Sequence, residues 1–293
     1  MNSKDQAWRN WPLVRIEKEY SPSSCMPSEK PFLAEYAIRS RNAEQSLACQ
    51  KDVQWGEKPE ETLDFFPAAS REAPLLVFIH GGYWQELSKN ESLFAAPDCV
   101  ASGIAFAAIN YTLAPHASVE MIVDQCRRAV AWLHSQAHVL GFDRDRLYLS
   151  GSSAGAHLAA MMLVKGWQHT AGMTDNAIAG AVLLSGIYDL EPLVGTYIAA
   201  PLHLTAPDAA GLSPMRLPLG QPVPTIITWG ENETSEFKRQ SRSYAARLEA
   251  ADFPVSMFEV AGANHLDIVL GLADRRSTLG CATLELVKGS ATK

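Results

Sequence analysis

A serine between glycines, Gly151-Ser152-Ser153-Ala154-Gly155, stands where the apolar run RLYLSG gives way to the alanine-rich stretch AHLAA. A strand that turns at once into a helix can hold a serine hydroxyl above a sheet edge, and glycines on both sides leave room for the chain to pass closely. The helix that follows would present unpaired N–H groups and its positive end where an oxyanion develops. Ser153 is therefore the candidate nucleophile for attack on a carbonyl, and the N–H of Ala154 a candidate oxyanion donor.

Upstream, LLVFIH runs into His80-Gly81-Gly82-Tyr83-Trp84, a glycine turn that can aim the backbone N–H groups of Gly82 and Tyr83, or of their neighbours, at the same oxygen. His80 reads as a residue that stiffens this loop rather than one that moves protons. A base and an acid are expected beyond later strands. TIITW is followed by Gly230-Glu231-Asn232-Glu233, and VSMFEV by Ala261-Gly262-Ala263-Asn264-His265. His265 is the one downstream histidine in a loop just past a late strand, which suits a general base, and Glu233 is the carboxylate expected to fix its tautomer. Glu231 remains the alternative acid. Glu236 and Asp267 are expected to cap the helices that follow. His157, one helical turn after Ser153, could pair with His80 at a metal, but no HExxH stretch or cysteine cluster supports this, and neither a metal nor a cofactor is expected.

The elements that must position these groups alternate along the chain. Eight segments read as strands: DVQWG, TLDFFP, LLVFIH, IAFAAIN, RLYLSG, AIAGAVLLSG, TIITWG and VSMFEVAG. Helical periodicity covers 31–50, 119–139 and 235–251. Nearly unbroken Val, Ile and Leu runs predict an α/β fold: a mostly parallel eight-stranded sheet buried between helices, with the first, more alternating strands forming an antiparallel edge. Residues 187–217 carry Leu, Pro and Tyr but no strand, and are expected to form a short helical lid. The first 50 residues, rich in Ser and Pro, read as an N-terminal arm ahead of a single domain at 51–293.

Bulk properties narrow the partners. The 293 residues are 47% hydrophobic and 19% charged, with a net charge of −7 and a pI near 5.6. No basic stripe offers itself to nucleic acid or to an anionic membrane, and a cytoplasmic location is expected. Five scattered cysteines lack a CxxC pair and read as free thiols. A homodimer is compatible with the sequence.

With these residues placed, the chain resembles the kynurenine formamidase (arylformamidase) branch of the serine α/β-hydrolases, related to hormone-sensitive-lipase-like esterases. The resemblance rests on HGGYW at 80–84, NYTLAP at 110–115, GSSAGAHL at 151–158, SGIYDLEPL at 185–193, GENETSEFKRQS at 230–241 and GANHLDIV at 262–269. It runs from about Glu19 through LDFFP at 63–67 to the C-terminal helix. It implies an α/β-hydrolase fold, a triad of Ser153, Glu233 and His265, an oxyanion hole of Gly81, Gly82 and Ala154, and a small acyl amide or ester as substrate. The family's acid is often aspartate, and Glu233 departs from that. The implied reaction is hydrolysis of N-formyl-L-kynurenine; a generalist short-chain carboxylesterase and a non-catalytic receptor of the same fold are the alternatives. Tyr83, Trp84, Tyr111 and Tyr188 are the candidate aromatic lining of a substrate pocket.

Overall fold

The computed structural model describes residues 3–289. Eight strands form one sheet: β1 (Gln50–Gln54), β2 (Thr62–Phe66), β3 (Leu75–Ile79), β4 (Ala105–Ile109), β5 (Leu147–Ser152), β6 (Ile178–Leu184), β7 (Thr225–Asn232) and β8 (Val255–Asn264). Their order is β1-β2-β4-β3-β5-β6-β7-β8. The β1–β2 and β2–β4 pairs are antiparallel and the remaining pairs parallel. The helices are α1 (Leu13–Glu19), α2 (Lys30–Ser46), α3 (Ala96–Ala101), α4 (Val119–Leu140), α5 (Ala154–Met162), α6 (Trp167–Thr170), α7 (Ala206–Gly211), α8 (Ser235–Glu249) and α9 (Thr278–Lys288). This is the α/β-hydrolase arrangement, with the antiparallel edge where the alternating strands placed it.

Strand alternation sorts the core into two layers. Leu75, Val77 and Ile79 of β3 join α4, α5 and α8 on one face, while Leu76 and Phe78 join α2, α3 and α9 on the other. All five residues of β3 and of β4 are buried, which is why their sequences show no polar face. Asp64, also fully buried, keeps its place on β2 because the Lys89 ammonium lies 2.8 Å from it.

The N-terminal stretch is no free arm. Tyr20 is fully buried, and Tyr36 and Ala43 of α2 belong to the second core layer, with the Tyr36 ring 5.4 Å from that of Phe94. The predicted helix over 31–50 ends at Ser46, because Leu47 turns extended (φ −121°, ψ 156°) to lead into the edge strand. Residues 187–217 contain one short helix, α7, capped by Thr205 and Asp208, and a 3-10 turn at Glu191–Leu193. Ile187, Leu190, Leu193, Leu202, Ala209 and Leu212 pack into the first core layer, so this stretch is a packed cover and not a loose flap.

Candidate active site

Ser153 sits at the tip of the β5–α5 turn with φ 58° and ψ −119°, a conformation rarely adopted by a residue with a side chain. The turn survives because its neighbours are small. A Cβ on Gly155 would come within 2.0 Å of Ile79 O, and one on Gly151 within 2.3 Å of Gly155 O. Ser153 N donates to Leu184 O at 2.8 Å, tying the turn to β6. Ala154 is the first residue of α5, so its N–H has no acceptor within the helix.

Gly81 lies directly against this turn: a Cβ there would stand 2.8 Å from Ser152 O and 3.3 Å from Ser153 Cβ. Gly82 (φ 90°) leads into a bend in which Tyr83, Trp84 and Leu87 also have positive φ, and Gly82 O accepts from Gln85 N and Glu86 N at 2.9 Å each. Strain of this kind clusters at working sites. The loop is braced from behind. Tyr111 OH donates to His80 O at 3.0 Å, its ring stacks on the His80 imidazole at 4.1 Å, and Ala114 N donates to Trp84 O at 2.8 Å. His80 Nδ1–H donates to Gly81 O at 3.0 Å, and burial pushes its pKa down to about 4, so it stays neutral and stiffens the loop as expected.

His265, 3% exposed, donates from Nδ1 to Glu233 Oε2 at 2.8 Å. The other carboxylate oxygen of Glu233 accepts from Ser185 Oγ and from Gly230 N, both at 2.6 Å. Three donors thus hold the acid, and the acid fixes the tautomer that leaves His265 Nε2 as an acceptor. That Nε2 is buried without a hydrogen-bond partner. Glu231, the alternative acid, instead points to the exposed edge, where it accepts from Gly262 N at 2.8 Å.

The loop carrying His265 is cross-braced by Asn264 and Asp267. Asn264 N and Nδ2 donate to the Asp267 carboxylate at 2.7 and 2.8 Å, and Asn264 Oδ1 accepts from Leu266 N and Asp267 N. Asp267 stands at the N-cap position of the 3-10 turn Ile268–Gly271, but its side chain makes no capping bond there and serves the histidine loop. Glu236, in the first turn of α8, is likewise taken up elsewhere: it accepts from Tyr20 OH at 2.9 Å and pairs with Arg239 at 2.8 Å.

Ser153, His265, Gly81 and Gly82 all line one cavity of about 290 Å³, near the lower bound of small-ligand clefts. Of the four aromatic candidates, Tyr83 is on its wall. The other three lie behind it in the core: Trp84 is fully buried edge-on to His157 (5.1 Å), Tyr111 braces the glycine loop, and Tyr188 stacks on Tyr244 at 4.2 Å. His157 Nε2–H donates to Leu212 O at 2.7 Å, tying the 187–217 cover to α5, and burial lowers its pKa to about 4. No group of three or more His, Cys, Asp or Glu suited to a metal occurs among the described residues.

Sequence reasoning missed two contributors. One is Ser185, whose hydroxyl secures Glu233; its only sequence signal is a serine directly after an apolar strand, and in the structure it has φ 50°. The other is the N-terminal stretch, since Ser21, Pro22, Ser23, Glu29, Leu33 and Tyr36 form much of the cavity wall. It is also bound to the loops that carry Glu233 and His265: Tyr36 OH donates to Leu266 O, Thr234 Oγ1 to Glu19 O, and Ser235 Oγ to Glu19 Oε2 at 2.8 Å. From the 187–217 cover, Tyr197 and Ile198 reach the cavity.

The sheet order and the strand–turn–helix elbow beside a glycine loop define a hydrolase of the α/β-hydrolase fold. Solved structures agree on the fold: a Silicibacter protein superposes with a TM-score of 0.81 over 94% of this chain and 99% of its own, at 23% identity, and the Pyrobaculum calidifontis esterase with 0.70 over 98% of each, at 16%. A family profile described as BD-FAE matches residues 63–203. The chain is 35% identical to the kynurenine formamidase of Danio rerio, spanning 96% of this chain and 98% of that one, and 34% identical to that of Salmo salar, spanning 91% and 94%. The chain belongs to the kynurenine formamidase family. No helix among the described residues is long and apolar enough to cross a membrane.

Proposed function

We propose that this protein hydrolyses N-formyl-L-kynurenine to L-kynurenine and formate through a formyl-enzyme, with Ser153 as nucleophile, His265 as general base and acid, and Glu233 as the orienting carboxylate. The observation that carries the reading is the His265–Glu233 contact of 2.8 Å, which leaves an unpartnered buried Nε2 on the wall of the cavity that Ser153 also lines. His265 takes the Ser153 proton as Oγ adds to the formyl carbon. The N–H groups of Gly81, Gly82 and Ala154 receive the oxyanion, a contribution typically worth about 3 kcal/mol per donor. Collapse breaks the C–N bond, His265 Nε2–H protonates the departing arylamine, and water activated by the same imidazole releases formate and restores the serine. A cytoplasmic location belongs to the same proposal and is tested by fractionation.

The test compares kcat/KM on N-formyl-L-kynurenine with that on p-nitrophenyl acetate. The formamide is expected to be the better substrate. A formamide rate no better than background, beside efficient ester cleavage, would favour a short-chain carboxylesterase.

A further inference from the structure

The charged side chains on the cavity wall are all of one sign. Glu29, Glu86 and Glu91 line it, and no Lys or Arg does. Glu91 Oε2 accepts from Ser88 Oγ at 2.7 Å. The carboxylates of half-buried Glu29 and exposed Glu86 have no ion-pair or hydrogen-bond partner among the described residues, so their charge is directed into the cleft and not neutralised within the fold. The two come from separate elements: Glu29 precedes α2, and Glu86 follows the glycine loop. The same wall carries the buried, unpartnered His265 Nε2, so these carboxylates face the space in which the proposed chemistry takes place.

Negative potential gathered in a cleft raises the local concentration of cations and repels anions. We infer that Glu29, Glu86 and Glu91 are specificity determinants that select substrates carrying a positive charge on the leaving-group side and reject those whose leaving group carries only a carboxylate. This rests on the proposed formamidase reading and adds to it the charge that the aryl portion must bear. For a zwitterionic amino acid leaving group, the ammonium is the end the wall holds and the carboxylate faces away from it. Tyr36 and Leu33, on the same N-terminal stretch as Glu29, supply part of the apolar and ring surface against which an aryl group would lie.

The experiment measures kcat/KM of the full-length protein on three formanilides: unsubstituted, with an ortho aminoalkyl group, and with an ortho carboxylate. The expected order is cationic, neutral, anionic, with the spread narrowing at high salt. Each of Glu29→Gln and Glu86→Gln is expected to reduce the cationic-to-anionic ratio by about fivefold, the scale of a single partly exposed charge pair. Glu86→Lys, at an exposed position, is expected to shift the preference toward the anion; circular dichroism confirms that each variant is folded. A flat or reversed order in the wild type, or variants that change all three substrates by one factor, would overturn the inference. If the wild type cleaves none of the formanilides, the formamidase reading fails, and phenyl acetates with the same three substituents then decide the charge inference separately, by the same order and ratios.

Discussion

Ser153 presents its hydroxyl to the cavity through a backbone conformation that β-carbons on either flanking glycine would destroy. Gly155→Ala would put a carbon within 2.0 Å of the backbone of β3, so it is expected to destabilise the protein by more than about 3 kcal/mol or to prevent soluble expression, as read by urea denaturation. Ser185→Ala is a gentler probe. It removes one of three donors to Glu233 without touching the cavity, and is expected to lower kcat roughly tenfold or more while leaving KM near its original value. An equal kcat in that variant would mean that Gly230 N and His265 suffice to hold the acid. At this scale the sequence was legible wherever chemistry restricts residue type and context together. Ser153, Glu233 and His265 could each be placed because a strand end preceded them. Trp84, Tyr111 and Tyr188 could not, since an aromatic near a strand end suits a core as well as a pocket wall.

The strands and long helices were legible from their hydrophobic periods, and the N-terminal stretch was not. Its polar, Ser- and Pro-rich composition hides a few deeply buried anchors: Tyr20 reaches Glu236 and Gln240, and Tyr36 reaches the carbonyl beside His265. Such long-range contacts leave no local pattern to read. Deleting residues 1–46 would uncover the α2 side of the second core layer and remove a cavity wall, so the truncated chain is expected to be insoluble or inactive, as measured by soluble yield and turnover. Tyr36→Phe keeps the ring packing and loses the hydroxyl contact to Leu266 O. It is expected to fold with a loss of about 1 kcal/mol and to lower kcat, since the His265 loop loses a tether. The cover at 187–217 was visible as a stretch without strands, but its burial depends on partners such as His157, whose role a sequence cannot assign.

For the whole molecule, His80 and His157 set an acid limit. Burial depresses both pKa values to about 4 from an ordinary value near 6.5, so between those values the unfolded chain binds protons that the folded chain does not. Their stability contribution is complete above about pH 6.5 and is lost progressively as pH falls toward 4, on the order of 3 kcal/mol for each. Chemical denaturation from pH 8 to pH 4 should show this decline, and His157→Gln should flatten part of it. A pH-independent midpoint over that interval would contradict the buried neutral imidazoles.

The convergence of Ser153 and His265 on one cavity, with Glu233 held against His265, is tested most directly by labelling with a fluorophosphonate and mapping the adduct by mass spectrometry. The expected result is a single adduct on Ser153, absent in Ser153→Ala and formed far more slowly in His265→Gln. No adduct on the wild-type protein, or an adduct at another serine that persists in Ser153→Ala, would contradict the account.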